Sequence, residues 1–236
     1  MAGSIGFRIY TRVRRASPEQ VELFRELPVC NIVDCMNKLA AVASGIKPYN
    51  TVKLLGTAVT VRAPMGDNLM FHQAISMAQA GDVIVVDGGG GTERAVCGEN
   101  MMQIARQKGV RGFLIDGSFR DSAALADFDD FTVFARGIMP NASYKGLGPG
   151  EINVPVSVGG QLIFPGDMIV GDEDGAVAIR PADAEAVAAA ARALMEKELA
   201  NRELILRGES DRSWVMKALQ ERGCVFIDAA WDEGKE

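Results

Sequence analysis

Two consecutive units of apolar strand, tight turn and helix in the middle of the chain restrict its fold most strongly. The run from Asp82 to Asp87 is typical of a buried strand and ends in glycines, after which a helix is predicted from Glu99 to Gln107. A second apolar strand runs from Gly112 to Asp116, and a short helix is predicted to begin near Phe119. Strands that alternate with helices lie parallel and are joined by crossovers, so these units predict an α/β fold.

The flanking segments extend this pattern with further predicted helices and strands. They are a capped helix from Ser17 to about Leu27, a helix from Ile32 to Val42, a strand from Val52 to Arg62, a helix from Leu69 to Ala80 and a strand from Phe131 to Ala135. Turn residues separate short β-runs between Val154 and Ile179, which indicates a meandering β-structure. Helices are predicted from Pro181 to Leu206 and from Asp211 to Arg222. We therefore expect one domain over residues 1–182 and a helical C-terminal extension over residues 183–236.

Composition and charge exclude several classes of partner. The chain has 236 residues, 48% of them hydrophobic, which is enough for one sizeable core. The net charge is −6 and basic residues cluster only between Arg12 and Arg15, so no nucleic-acid partner is predicted. No apolar run approaches the ~20 residues that span a bilayer, and no signal peptide is recognisable, so we expect neither a membrane partner nor export.

The cysteines argue against a metal site built from thiols. Cys30, Cys35, Cys97 and Cys224 form no CxxC pair, and the chain has a single histidine, His72. We expect buried, reduced thiols, which fits a cytoplasmic location. For His72, on the predicted helix from Leu69 to Ala80, packing or a surface position is favoured over catalysis.

Four glycines from Gly88 to Gly91 follow the first strand of the two units and raise the question of a nucleotide site. A phosphate-binding loop would need Lys and Ser or Thr after its last glycine, whereas Thr92, Glu93 and Arg94 follow here. A dinucleotide fingerprint would need a glycine at position 93 or 94. The glycines are therefore interpreted as a tight turn beside a closely approaching backbone.

Two predicted helix starts follow the two strands, at the sheet edge where α/β proteins usually bind ligands. At the first, Gly98 precedes Glu99, and the free amides of Asn100 and Met101 suit a carboxylate because the helix dipole adds to their attraction. At the second, the planar guanidinium of Arg120 suits carboxylate or enolate oxygens.

Acidic residues at the same two helix starts could hold a metal ion. Asp121 and Glu99 offer oxygens to a hard divalent cation such as Mg²⁺ or Mn²⁺. A structural alternative stays open, because Ser118-x-x-Asp121 is also a capping-box variant, in which Asp121 would only cap a helix. Glu99 could likewise only complement a helix dipole.

At these residues the chain resembles a known family, the class II pyruvate aldolases of the 4-hydroxy-4-methyl-2-oxoglutarate type, whose members also decarboxylate oxaloacetate. The same RraA-like superfamily includes the regulator of ribonuclease activity A. The resemblance rests on Cys97 to Asn100 and Gly117 to Asp121. It extends to Gly56–Pro64, Gly66–Asn68, Gly81–Gly88, Val154–Val156, Pro165–Asp167 and Asp172–Gly175.

The resemblance implies roles for the residues of this site. Asp121 would ligate a divalent metal, Mg²⁺ or Mn²⁺, directly, and Glu99 would act on it through water. Arg120 would hold the pyruvate oxygen, and Gly98 with the amides of Asn100 and Met101 would bind the carboxylate. An acidic residue from a neighbouring subunit would also act on the metal through water. Glu198 is the first candidate for it and Glu196 the second, since Glu198 follows Val187, Ala191 and Leu194 at helical spacing.

The reaction that the resemblance implies is carbon–carbon cleavage of a small 2-oxo acid, by retro-aldol cleavage or decarboxylation through one enolate. One departure stands out, because Ala124 occupies a position that is acidic in the aldolases; Asp127 lies one turn later. A Schiff-base mechanism is disfavoured, as no lysine among Lys108, Lys145 and Lys197 has a suggestive placement. The rival function is a non-catalytic regulator that acts by protein contact.

The resemblance also implies the architecture. It predicts a layered ββα sandwich of the swivelling-domain type that assembles as a homotrimer or homohexamer.

Overall fold

The computed structural model describes residues 5–144 and 148–231; Lys145 lies outside them. The strands are β1 (Phe7–Ile9), β2 (Lys47–Pro48), β3 (Leu54–Arg62), β4 (Asp82–Asp87), β5 (Gly112–Phe119), β6 (Thr132–Ile138), β7 (Gly150–Ile152), β8 (Val156–Val158), β9 (Gln161–Ile163), β10 (Met168–Asp172) and β11 (Gly175–Ile179). The α-helices are α1 (Pro18–Glu22), α2 (Val29–Cys35), α3 (Leu69–Met77), α4 (Glu99–Gln107), α5 (Ala184–Leu206) and α6 (Ser213–Glu221). Short 3-10 helices cover Ser122–Asp127 and Pro181–Asp183.

Four parallel strands, β3, β4, β5 and β6, form the centre of the main sheet. The strand order is β1-β7-β3-β4-β5-β6-β2, and the β10–β11 hairpin joins through the antiparallel pair of β10 with β3. The mixed α/β fold predicted from the sequence is therefore confirmed. Because β4 and β5 are parallel neighbours, the segments that follow them emerge at the same edge of the sheet.

The two faces of the sheet are buried by different partners, because side chains alternate along each strand. Val59, Ile84 and Ile115 pack with helices α3 and α4 in one core. Leu114 and Phe134 face the opposite way and pack with the β8–β9 hairpin in another. Burial on both faces explains why β4 and β5 are continuous apolar runs rather than alternating ones.

A third core lies around the β10–β11 hairpin, where helices α1 and α2 and the first turns of α5 pack. The described residues separate into two compact units, one ending at Met195 and one beginning at Glu196. All strands belong to the first unit. In the second unit none of the described side chains is buried. No helix in the described ranges is long and apolar enough to cross a membrane.

Several helix predictions were wrong in their bounds, and helix α3 for example stops at Met77 rather than Ala80. Strand β5 continues past Asp116, because Ser118 and Phe119 pair with β6 after a register shift, so no helix begins at Phe119. Helix α2 stops at Cys35, and Asn37 and Lys38 follow with φ values of 57° and 62°, outside the helical range. Helix α1 stops at Glu22 rather than Leu27.

The glycines from Gly88 to Gly91 form the tight turn that the sequence predicts. Gly89 and Gly90 have φ values of 67° and 75°, and the Gly90 amide donates to the Asp116 carbonyl at 3.1 Å. A Cβ on Gly88 would lie 2.8 Å from that same carbonyl oxygen. The run therefore lets two backbone segments approach one another.

Candidate active site

The segment that leads into α4 runs beside the end of β5. The Val96 amide donates to the Ser118 carbonyl at 2.9 Å, and the Arg120 amide donates to the Cys97 carbonyl at 3.0 Å. These two bonds hold the residues that precede α4 against the end of β5 and the residue that follows it. The two segments in which the sequence predicted helix starts therefore meet at the carboxyl edge of the parallel strands.

Gly98 precedes α4 at the closest point of this contact. A Cβ at this position would lie 2.5 Å from Asp121 Oδ2 and 3.0 Å from Arg120 Cγ. Its φ of −150° is open to any residue, so the requirement for glycine is steric. The missing side chain leaves the room that Arg120 and Asp121 occupy.

Asp121 joins the two motifs through its carboxylate. Its Oδ2 accepts a hydrogen bond from the Glu99 amide at 3.1 Å and lies 3.6 Å from Arg120 Nε. The residue has a φ of 61°, a left-handed backbone conformation that is uncommon for residues other than glycine. Strain of this kind is frequent in residues held in place at functional sites.

The capping-box interpretation of Ser118 and Asp121 is wrong. Ser118 lies inside β5, fully buried, and Asp121 makes no side-chain capping bond to the 3-10 helix that follows it. Its carboxylate instead binds the first amide of α4, in a different element. This bond satisfies one of the free amides at the start of that helix.

A cleft of about 190 Å³ opens at this junction. Five residues that the sequence predicted line it, namely Gly98, Asn100, Met101, Arg120 and Asp121. The side chains of Arg120 and Asp121 are about half exposed there. A guanidinium, a carboxylate and a helix start therefore face one volume that is large enough for a small organic acid.

The amides at the start of α4 are not equally available. The Glu99 amide binds Asp121, and the Met101 amide donates to the Gly98 carbonyl at 3.0 Å. For the Asn100 amide, no acceptor is found within residues 5–144 and 148–231. The Asn100 amide is thus best placed to bind a carboxylate. The Met101 amide would have to share its hydrogen between the carboxylate and the Gly98 carbonyl.

Other predicted site residues lie outside the cleft lining. The Glu99 side chain is exposed and does not line it. Glu198 lies on α5 in the second compact unit, and Glu196 begins that unit, so their roles stay predictions. Ala124 is half-buried and packs against the core on the α3–α4 side, while Asp127 is exposed and absent from the lining.

Three polar residues of the cleft were not predicted from the sequence, Asn68, His72 and Ser143. Asn68, the residue before α3, has its Nδ2 3.4 Å from His72 Nε2 and 3.8 Å from Met101 Sδ, so the start of α3 contacts α4. The spacing of four residues on one helix, with the single histidine of the chain, is the pattern that could have indicated them.

The cysteines differ from the prediction of buried thiols. Cys30 and Cys224 are exposed, Cys35 is half-buried and Cys97 is buried; all four are free. Burial raises the pKa of the Cys97 thiol, and the charge of Asp121 raises it further. Cys97 lines the cleft as a neutral thiol and is not activated as a nucleophile.

The residues at the cleft fit a mainly hydrated divalent ion. No group of three or more His, Cys, Asp and Glu side chains in the described ranges could enclose a metal. Asp121 nevertheless presents a half-exposed carboxylate whose Oδ2 alone is engaged by the Glu99 amide and Arg120. Mg²⁺ keeps several waters and is commonly held by one or two carboxylates, so a single aspartate is compatible with it.

Fold and site together define a class of protein. It is an α/β protein with a polar cleft at the carboxyl edge of parallel strands, where a helix start, an arginine and an aspartate converge. The family model described as Aldolase/RraA, RraA-like, matches residues 29–178. The chain belongs to this family.

Individual relatives agree with the family. A protein of Halalkalibacterium halodurans, provisionally named 4-hydroxy-4-methyl-2-oxoglutarate aldolase, is 38% identical over 209 residues, which cover 88% of this chain and 97% of that protein. The RNA-processing inhibitor RraA from Thermus thermophilis has a TM-score of 0.60 and 29% identity, covering 66% of this chain and 93% of its own. An uncharacterised Pseudomonas syringae protein has a TM-score of 0.73 at 24% identity, covering 84% and 93%, and supports the fold alone.

Proposed function

We propose that this protein is a divalent-metal-dependent carbon–carbon lyase that releases pyruvate from a 4-hydroxy-2-oxo acid and decarboxylates oxaloacetate. The observation that carries the proposal is the convergence of Arg120, Asp121 and the start of α4 in one small cleft. The family and the provisional aldolase name of the Halalkalibacterium relative support it. Retro-aldol cleavage and oxaloacetate decarboxylation share the pyruvate enolate, so one site serves both.

Each residue of the cleft has a separate task in this proposal. The Asn100 amide, with Gly98 and the Met101 amide beside it, orients the substrate carboxylate, since a helix start favours anions. The Arg120 guanidinium lies against the 2-oxo group and offsets the negative charge that develops there as the carbon–carbon bond breaks.

The carboxylates of the site would hold the metal in this proposal. Asp121 would hold a Mg²⁺ or Mn²⁺ ion directly, and Glu99 and Glu198 would act through water. The ion, when bound, supplies Lewis-acid stabilisation of the enolate oxygen.

The first experiment measures pyruvate formation from oxaloacetate and from 4-hydroxy-4-methyl-2-oxoglutarate, with EDTA, Mg²⁺ or Mn²⁺. Arg120→Ala and Asp121→Ala are each expected to lower turnover by about 100-fold or more, because each removes charge stabilisation from the transition state. Arg62→Ala is the matched control, since Arg62 is an exposed arginine at the end of the parallel strand β3 and does not line the cleft. Turnover by the purified protein no faster than the metal alone would contradict the proposal.

The alternative function is a non-catalytic regulatory binding protein like the regulator of ribonuclease activity A. The likeness to the Thermus RNA-processing inhibitor favours it. A pure regulator needs no charged cleft, so its activity in a ribonuclease inhibition assay should survive Arg120→Ala and Asp121→Ala. Survival of inhibition together with absent lyase turnover would favour this alternative.

The proposed lyase has a wider architecture that we infer from the same family. We propose a swivelling-domain-like ββα layering for residues 1–182, with residues 183–236 as an extension that makes subunit contacts. We propose a homotrimer or homohexamer in the cytoplasm. An acidic residue from the extension of one subunit, Glu198 before Glu196, then serves the cleft of its neighbour.

A further inference from the structure

The proposed reaction needs a proton at C3 of the pyruvate unit, and the cleft holds few groups that can carry one. Its titratable lining residues in the described ranges are His72, Cys97, Arg120 and Asp121. Arginine stays charged, and burial keeps Cys97 a thiol. The Asp121 carboxylate is engaged by the Glu99 amide and by Arg120. Histidine is the side chain that most readily gives and takes protons near neutral pH.

Within residues 5–144 and 148–231 of the same chain, Asp121 is the one acidic residue that lines the cleft. Ala124 carries no proton and packs against the core, and Asp127 is exposed outside the lining. The Glu99 side chain is also absent from the lining. The proton-carrying role therefore falls on helix α3, which contributes His72 to the cleft lining.

The imidazole of His72 is held at this position by its own helix. Asn68 Nδ2, one turn earlier, lies 3.4 Å from His72 Nε2, so the amide and the ring are in contact. Asn68 also contacts Met101 Sδ at 3.8 Å, which ties this pair to α4 and its anion-binding amides.

We propose that His72 is the proton donor and acceptor at C3 of the pyruvate unit, an inference that rests on the lyase function proposed above. After carbon–carbon cleavage the imidazolium N–H bond breaks and a C3–H bond forms, so the enolate becomes pyruvate and the imidazole becomes neutral. The ring then regains a proton from solvent. In the reverse direction neutral imidazole removes a proton from the methyl group of pyruvate.

The test compares two reactions that depend differently on this proton. The first is exchange of the pyruvate methyl protons in D₂O, followed by NMR with the full-length protein and Mg²⁺. The second is consumption of oxaloacetate, in which loss of CO₂ forms the enolate without an acid at C3. His72→Gln is expected to slow exchange by about 100-fold, the usual contribution of a general acid–base group, and to slow oxaloacetate consumption much less.

Two further variants separate chemistry from structure. Gln73→Ala, at the next position of α3, which is also exposed but outside the lining, should leave both rates unchanged. His72→Ala should lose exchange and regain part of it with added imidazole, which a structural role would not produce. Equal losses in both reactions, or exchange in His72→Gln close to the wild-type rate, would overturn the role of His72 and leave the lyase intact. Absence of exchange and turnover in the wild type would overturn the lyase proposal and this inference together.

Discussion

At the scale of single residues, Gly98 matters through the side chain that it lacks. We predict that Gly98→Ala lowers lyase turnover by about 100-fold, because the added methyl group would displace Asp121 Oδ2 and Arg120, which supply the charge stabilisation. Its extended backbone accepts alanine, so the melting temperature should change little. Pyruvate release and thermal unfolding, measured on the same preparation, check both parts.

Gly137→Ala is the matched control for this change. Gly137 lies on β6, and its added Cβ would meet Ser118 Oγ at an ordinary contact distance of 3.4 Å. Turnover in this variant should therefore stay near that of the wild type. If Gly98→Ala kept full turnover, the tight packing of the two motifs would not be needed for activity.

A second residue-scale prediction concerns the exposed thiol of Cys30. The pKa of this thiol is raised to about 11, chiefly by its hydrogen bond to Asp174 at 3.2 Å. Partial burial and the negative charge of Asp174 raise this pKa further. Asp174→Asn removes the charge and should lower that pKa, giving more thiolate. Alkylation of Cys30 by iodoacetamide at about pH 8.5 should then become roughly tenfold faster, because the thiolate is the nucleophile.

Peptide mass spectrometry measures this rate, with Cys224 as the internal control. Cys224 is exposed, and its alkylation should be the same in both proteins. In the wild type, alkylation of Cys30 should accelerate as the pH rises toward 11, whereas Cys97 should stay unlabelled because it is buried. An unchanged Cys30 rate in Asp174→Asn would contradict the electrostatic explanation.

At the scale of elements, the start of α1 shows how a local motif acts. Ser17 Oγ accepts the Gln20 amide at 3.2 Å, and Gln20 Oε1 accepts the Ser17 amide at 3.1 Å, so the predicted capping box is confirmed. We predict that Ser17→Ala lowers the free energy of unfolding by about 1 kcal/mol. Denaturant unfolding followed by circular dichroism measures the change.

A double-mutant cycle with Gln20→Ala isolates this pair. The two bonds are reciprocal, so the loss in the double variant should be smaller than the sum of the single losses. Gln20 also donates to the Pro181 carbonyl at 3.1 Å. Gln20→Ala should therefore lower the free energy of unfolding by more than the loss of the cap alone. Strict additivity would mean that the two bonds act independently.

Elements differ in how far their own sequence specifies them. Strand β4 and helix α4 were predicted with their observed bounds, because burial and amphipathic spacing mark both in the local pattern. Strand β5 was predicted three residues too short, since the pairing of Ser118 and Phe119 depends on β6, which is distant in sequence. Tertiary pairing thus overrides the local preference where the site begins.

At the scale of the whole molecule, contacts between elements distant in sequence likewise limit how much of the site can be predicted. Gly98, Asn100, Arg120 and Asp121 were predicted because each lies in a motif contiguous in sequence, and the cleft brings all four together. His72 comes from another element, and only the packing of α3 beside α4 brings it to the cleft. The hydrogen bond between Asp121 and the Glu99 amide could not be predicted from the sequence either. It depends on the left-handed backbone of Asp121 and on the continuation of strand β5 past Asp116.

The second compact unit leads to a prediction about assembly. Trp214 and Ile227 are 66% and 79% exposed, and none of the unit's described side chains is buried. Apolar surface of this extent usually marks a protein contact, and a second copy of the chain is the partner that the proposed trimer or hexamer supplies. Trp214→Ser combined with Ile227→Ser should therefore weaken the assembly. Sedimentation should shift toward the mass of one 25.2 kDa chain.

Lys217→Ala, an exposed change on helix α6, is the control and should leave the mass of the assembly unchanged. A wild type that sediments as a single chain at every concentration would contradict the proposed assembly, and with it the supply of Glu198 by a neighbouring subunit.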